Sequence, residues 1–265
     1  MSLGPWRHVS ASVIGSSHQR VGGVCQDSNV CTVIPSPLDG DVLIAVVSDG
    51  AGSATQAQAG SAMACRIISD SAAQFLASAR IEEITREKVE EWIQAFQKLV
   101  DERALADGST SREYACTLLS SIVGAEAAVF FQIGDGSIVV SDSEESIHGH
   151  VFWPERGEYE NTTFFATEPS FTANLQFENV RRRVVELAMF SDGLQRLALD
   201  FAKVMPHEPF FRGLFPSVRA TRSDGDAGKL NQFLTDFLSS PRINERTDDD
   251  KTLILATRVQ EVGVK

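Results

Sequence analysis

The sequence predicts an α+β layered fold built on antiparallel sheets, and three observations carry that prediction. Apolar runs at 42–48, 130–133, 184–190 and 252–256 have the length and composition of buried strands. Strand-like runs follow one another at hairpin spacing, which argues against a parallel, doubly wound sheet. Two long amphipathic stretches are inserted among them. The 265 residues show no fixed-period repeat, low-complexity segment or linker, so 1–265 reads as a single domain.

In chain order, 9–14 and 28–34 read as short strands around the turn Val21-Gly22-Gly23, and the buried strand 42–48 follows. Small and apolar residues from about Ala54 to Ala79 predict a helix, with Ser53 as its cap and Ala62, Cys65, Ile68, Ala72, Phe75 and Ala79 along one stripe. A second helix is expected from about Arg86 to Ala106, capped by Thr85, with Trp92 and Phe96 in the core. A meander of 115–123, 127–133 and 137–141 comes next, joined by Gly124 and by Asp135-Gly136. Residues 142–180 carry strand-like fragments among turn residues, and strand 182–190 leads to a helix from about Leu194. The Pro and Gly residues of 204–226 suit an irregular loop or flap. A helix near 227–239 and a strand over 252–259 close the pattern.

Composition narrows the function. At 43% hydrophobic and 23% charged the chain is ordinary globular material, and no apolar run approaches the roughly 20 residues of a membrane helix. The net charge of −12 argues against nucleic acid as the main partner, although bound metals can reverse the sign locally for a phosphorylated ligand. Cys25, Cys31, Cys65 and Cys116 have no CxxC spacing and read as reduced residues, while the N-terminus lacks a signal-peptide pattern. A cytoplasmic protein is expected.

The aspartates point to chemistry. Three of the apolar runs end on Asp-Gly, at Asp49-Gly50, Asp135-Gly136 and Asp192-Gly193, and the fourth begins after Asp248-Asp249-Asp250. Carboxylates crowded at converging strand ends cannot all stay ionised without compensation, and removing one such ion from water costs several kcal/mol. A hard divalent cation compensates them, and all-oxygen sites suit magnesium, manganese or calcium. Neither a Cys-x5-Arg loop nor a Gly-x-Ser-x-Gly elbow is present, and in a two-metal site a bridging water can serve as nucleophile.

Taken in order, Cys25-Gln-Asp27-Ser28, Ser48-Asp-Gly-Ala-Gly52, Ala115-Cys-Thr117, Ile133-Gly-Asp-Gly136, Phe190-Ser-Asp-Gly193 and Asp249-Asp-Lys-Thr252 resemble the metal-dependent serine/threonine phosphatases of type 2C, the PPM family, in a compact bacterial form. The resemblance spans about residues 10 to 259. It implies a four-layer αββα sandwich of two antiparallel β-sheets flanked by helices, with manganese or magnesium at one end of the sheets. It further implies that Asp49 bridges two ions and that the Gly50 carbonyl binds one of them. Asp192 and Asp249 would complete the shell of the second ion, with Asp250 as the alternative to Asp249, and Asp27 would act through metal-bound water. Asp135 with Asp192 would hold a third ion. The implied reaction is hydrolysis of phosphoserine and phosphothreonine in proteins, with a serine/threonine kinase as counterpart.

This chain departs from the family pattern in three places. Ala51 stands where a histidine is proposed as general acid, and His18 is the nearby substitute. The usual Asp-Asn before the last strand is Asp249-Asp250. The phosphate-clamping arginine expected shortly before Asp27 has Arg20 as its nearest candidate, displaced by Gly22-Gly23. The lost histidine motivates a rival reading, a phosphatase-like binding or regulatory module without turnover. A small-molecule phosphatase on the same scaffold is a third. Specificity is expected in 204–226 and 142–180.

Overall fold

The structure, a computed structural model, describes residues 3–144, 148–154, 163–221 and 224–260. β1 (Leu3–Val13) is followed by the short α1 (Ser16–Arg20), then β2 (Ser28–Ser36) and β3 (Gly40–Ser48). The long helices α2 (Ala57–Leu76) and α3 (Arg86–Ala106) precede β4 (Leu118–Val123), β5 (Ala128–Ile133), β6 (Ser137–Ser141) and the two-residue β7 (Gly149–His150). After α4 (Phe171–Asn174) come β8 (Gln176–Val180), β9 (Glu186–Phe190) and α5 (Gln195–Ala198). The pair β10 (Leu199–Asp200) and β11 (Met205–Pro206) leads to α6 (Glu208–Arg219), α7 (Asp224–Leu238), α8 (Pro241–Asn244) and β12 (Lys251–Gln260).

The strands form two five-stranded antiparallel sheets, ordered β1-β12-β9-β6-β7 and β2-β3-β4-β5-β8. Successive side chains of a strand face opposite ways, so a strand covered on both faces must be apolar throughout. β3 shows this residue by residue. Val42, Ile44 and Val46 pack against α2 and α3, whereas Leu43, Ala45 and Val47 fill the space between the sheets. β12 does the same, with Leu253 and Leu255 under α6 and α7 and Ile254 and Ala256 between the sheets. The result is the expected αββα sandwich. Among the described residues, no helix is long and apolar enough to cross a membrane.

Several expectations are corrected. The two strands around Val21-Gly22-Gly23 are present but belong to different sheets, β1 pairing with β12 and β2 with β3. The meander breaks at Asp135-Gly136, because β5 pairs with β4 and β8 whereas β6 pairs with β9 and β7. That dipeptide carries the chain from one sheet to the other, and Gly134 before it adopts φ 106°, a conformation side chains rarely allow. Ser53 does not cap α2, which starts after Gln56, and its buried stripe runs through Ser61, Ala64, Cys65, Ile68, Ala72 and Leu76. Thr85 does cap α3 by accepting the Lys88 N–H.

The expected loop at 204–226 is largely the helix α6. Pro209 lies in its first turn, where a missing N–H costs nothing. Pro216 sits inside the helix at a cost of about 3 kcal/mol. Phe211, Phe215 and Val218 fall on one face and are buried, each contributing about 1.5–3 kcal/mol, so burial outweighs the proline. Residues 145–147, 155–162 and 222–223, within the two stretches expected to set specificity, lie outside the described residues.

Candidate metal centre

The antiparallel register brings the aspartates to one end of both sheets. Ser28 pairs with Ser48, so Asp27 and Asp49 flank the same end of β2 and β3. Leu253 pairs with Phe190, so the residues before β12 adjoin those after β9. The turn after β3 is fixed by pairing with 115–117: Thr117 N–H donates to the Asp49 carbonyl at 2.8 Å, Ala51 N–H to the Ala115 carbonyl at 2.9 Å, and the Thr117 hydroxyl accepts the Asp49 N–H at 3.0 Å. On the other sheet, a Cβ at position 193 would lie 2.0 Å from the Asp250 carbonyl oxygen, so only glycine lets the turn after Asp192 pass beneath the start of β12.

Asp27 joins the two sheets. Its Oδ2 accepts hydrogen bonds from the Ser191 and Thr252 hydroxyls, both at 2.7 Å. Burial pushes its carboxyl up to about 6 despite these bonds and a contact with the Asp49 carboxyl. Burial, then the charges of Asp27 and Asp192, raises Asp49 well above the usual carboxylate range. Asp192 lies within hydrogen-bonding reach of Asp49 and is pushed up to about 7, by burial first and then by Asp135 and Asp249. Asp249, at the rim, is raised by partial desolvation of its carboxyl and by the charge of Asp250. Asp135 receives a hydrogen bond from the Thr163 hydroxyl at 3.0 Å, while Gln195 donates to its carbonyl.

This donor set fits a hard divalent cation. Asp27 Oδ1 and Asp192 Oδ1 are buried with no hydrogen-bond donor, which is costly for a carboxylate unless a cation or proton meets it. Among the described residues no three His, Cys, Asp or Glu side chains yet close into a cage. The carboxylates meet pairwise instead, Asp27 with Asp49 and Asp49 with Asp192, and each meeting needs a positive charge or a proton between the partners.

Asp250 faces elsewhere. Its Oδ1 accepts the Gly15 N–H and its Oδ2 the Gln26 N–H, both at 2.6 Å, so it anchors the segment leading to Asp27. His18 Nδ1 lies 3.0 Å from Asp250 Oδ2, and its Nε2 would stand 4.0 Å from a Cβ at position 52, beside the turn that holds Ala51. Arg20 is exposed and pairs with Asp248 at 3.1 Å. Sequence reasoning assigned no role to Ser191, Thr252 or Lys251. The Lys251 ammonium, on a fully buried residue, donates to Asn244 Oδ1 at 3.0 Å and to the Asp249 carbonyl at 3.2 Å. The repeated Ser-Asp-Gly was the available signal for Ser191, and a lysine inside an acidic-to-apolar boundary was the signal for Lys251.

Comparison with known proteins finds relatives that span nearly the whole chain. Serine/threonine-protein phosphatase 3 of Escherichia coli (strain K12) is 34% identical over 255 residues, covering 95% of this chain and 98% of that protein. Among solved structures, a variant of a bacterial serine phosphatase matches with a TM-score of 0.62 at 16% identity, covering 97% of this chain and 100% of that one. RsbX, solved in complex with magnesium, matches with a TM-score of 0.56 at 12% identity, over 97% of this chain and 99% of that one. These two likenesses speak to the fold. The family model described as protein phosphatase 2C matches residues 14–239, and this chain belongs to that family.

Proposed function

We propose that this protein hydrolyses phosphoserine and phosphothreonine in proteins, with manganese or magnesium held by its strand-end aspartates. The observation that carries the reading is the meeting of Asp27, Asp49 and Asp192 from both sheets, with buried oxygens that lack donors. Asp49, the Gly50 carbonyl, Asp192 and Asp249 would hold two ions, and Asp27 would act through an intervening water. Asp135 and Asp192 would hold a third. Such ions, when bound, acidify water and offset charge on the phosphate oxygens during in-line attack.

The chain's own groups orient that site. Ser191 and Thr252 hold Asp27 Oδ2 and leave Oδ1 without a donor. Asp250 fixes the backbone at Gly15 and Gln26, and with it the position of Asp27. His18, backed by Asp250 and standing beside Gly52, delivers a proton from Nε2 to the leaving oxygen in place of the histidine missing at Ala51. Arg20 is the phosphate clamp. Its exposed pair with Asp248 is worth at most about 1 kcal/mol and exchanges readily for a phosphate. The whole of 1–265 acts as one domain in the cytoplasm, opposing a serine/threonine kinase.

Phosphate release from a phosphothreonine peptide, with and without manganese, tests the reading in the wild type and in Asp192→Ala. Manganese-dependent turnover is expected, falling about 10³-fold or more in the variant, because the ions supply several kcal/mol of transition-state stabilisation. A folded, metal-loaded wild type that binds the peptide without turnover would instead be a binding module.

A further inference from the structure

A cavity of about 600 Å³ opens between α5, α6, α7 and α8, on the outer side of the β1-β12-β9-β6-β7 sheet. That volume lies within the range of about 300–1,000 Å³ typical of ligand pockets. Phe201, Phe210 and Phe237 line it, and Arg196, Arg242 and Arg246 stand around it. None of these arginines makes a side-chain hydrogen bond or ion pair among the described residues, whereas Arg86, Arg103, Arg212 and Arg219 all do. The chain has 36 acidic residues against 24 lysines and arginines, so the lack is not for want of partners. The cavity's own acid, Asp200, is already paired with Lys203 at 3.0 Å.

Two segments tie this cavity to the metal centre. Arg196 lies four residues after Asp192, about 6 Å along a helical path. Arg246 lies three residues before Asp249, at most about 11 Å along the backbone. An extended peptide spans such gaps in about two to four residues at roughly 3.3 Å each. The overall charge of −12 would repel an acidic peptide at long range, yet screening over about 8 Å leaves the local arginines to decide.

We propose that this arginine-rimmed, phenylalanine-lined cavity receives an acidic segment with an aromatic residue, belonging to the same phosphoprotein whose phosphoresidue sits among the aspartates and placed about two to four residues from it. Charge-assisted hydrogen bonds from the guanidinium groups hold the carboxylates, and the phenylalanines bury the aromatic side chain. The inference rests on the phosphatase reading and gives that site its substrate class.

The test compares phosphothreonine peptides carrying Glu-Phe-Glu four residues before or after the phosphothreonine with a Gly-Ser-Gly control. Each is assayed with manganese on the wild type and on the double variant Arg196→Ala, Arg246→Ala. The small substrate p-nitrophenyl phosphate, unable to reach the cavity, serves as reference. One acidic peptide should exceed the control in kcat/KM by about tenfold, through KM, and lose that advantage in the double variant while p-nitrophenyl phosphate is unaffected. No preference in the wild type, or an equal loss on p-nitrophenyl phosphate, overturns the proposal. If the wild type turns over neither kind of substrate, the phosphatase reading falls. Fluorescence anisotropy of the labelled acidic peptides then decides the cavity: weaker binding by the double variant sustains it, and equal binding overturns it.

Discussion

Ser48-Asp49-Gly50 and Ser191-Asp192-Gly193 end interior strands of the two sheets with the same tripeptide, yet the two serines reach in different directions. Ser48 donates to the Thr117 carbonyl at 2.6 Å and stays within its own sheet. Ser191 crosses to the other sheet, donating to Asp27 Oδ2 at 2.7 Å while accepting the Thr252 N–H at 3.0 Å. One turn is braced against its neighbour strand; the other fastens the sheets together at the site. The difference teaches that a repeated motif marks where carboxylates gather without telling which copy organises the others.

The sharpest way to break this comparison is at His18, which serves the first turn from outside it. His18→Ala should slow hydrolysis of the phosphothreonine peptide about 10²-fold or more while sparing p-nitrophenyl phosphate, whose leaving group needs no proton. Equal loss on both substrates would remove His18 as proton donor and leave it a brace for Asp250. Next in size, Ser191→Ala should weaken manganese binding by about 10–100-fold, read by calorimetric titration, because Asp27 loses one of the two hydroxyls that orient it. Ser48→Ala should leave that affinity unchanged.

The pH dependence is smaller and separates the turns by charge. In chelator, Asp27 and Asp192 bind protons more tightly folded than unfolded, since their carboxyls are raised to about 6 and about 7. Their contribution to stability is therefore full below about pH 4 and is lost as pH rises through those values. The urea midpoint of the chelated protein should fall between about pH 4 and pH 7, and saturating manganese should abolish the fall. Asp192→Asn should flatten the upper part of this profile. The smallest expected effect is Ser48→Ala, about 1 kcal/mol in urea denaturation with kcat/KM unchanged, from one lost buried hydrogen bond.

Much of this was legible beforehand, for identifiable reasons. Strands buried on both faces must be apolar throughout, so β3, β9 and β12 announced themselves, and the Asp-Gly dipeptides marked their ends. Sheet membership was not legible: nothing local distinguishes a hairpin Asp-Gly from the crossover at Asp135-Gly136, because only the distant partner β9 decides it. Helix α6 was hidden by its prolines, whose cost is local, while the burial of Phe211 and Phe215 that outweighs it depends on the sheet beneath. Within the site, the positions of Asp49 and Asp192 followed from strand ends. The anchoring role of Asp250 required knowing that Gly15 and Gln26, more than 220 residues earlier, come back to meet it.

The pairing of β1 with β12 has a consequence in time. β1 is an edge strand, and its one strand neighbour is made from residues 251–260. At about 5–20 residues per second, synthesis leaves Leu3–Val13 without that neighbour for roughly 10–50 s. The same late segment delivers Asp249, the Asp250 anchor and the Thr252 hydroxyl on Asp27. A growing chain therefore carries Asp49 and Asp192 before Asp249, Asp250 and Thr252 exist to meet them, and the cluster is complete only once β12 has slotted between β1 and β9.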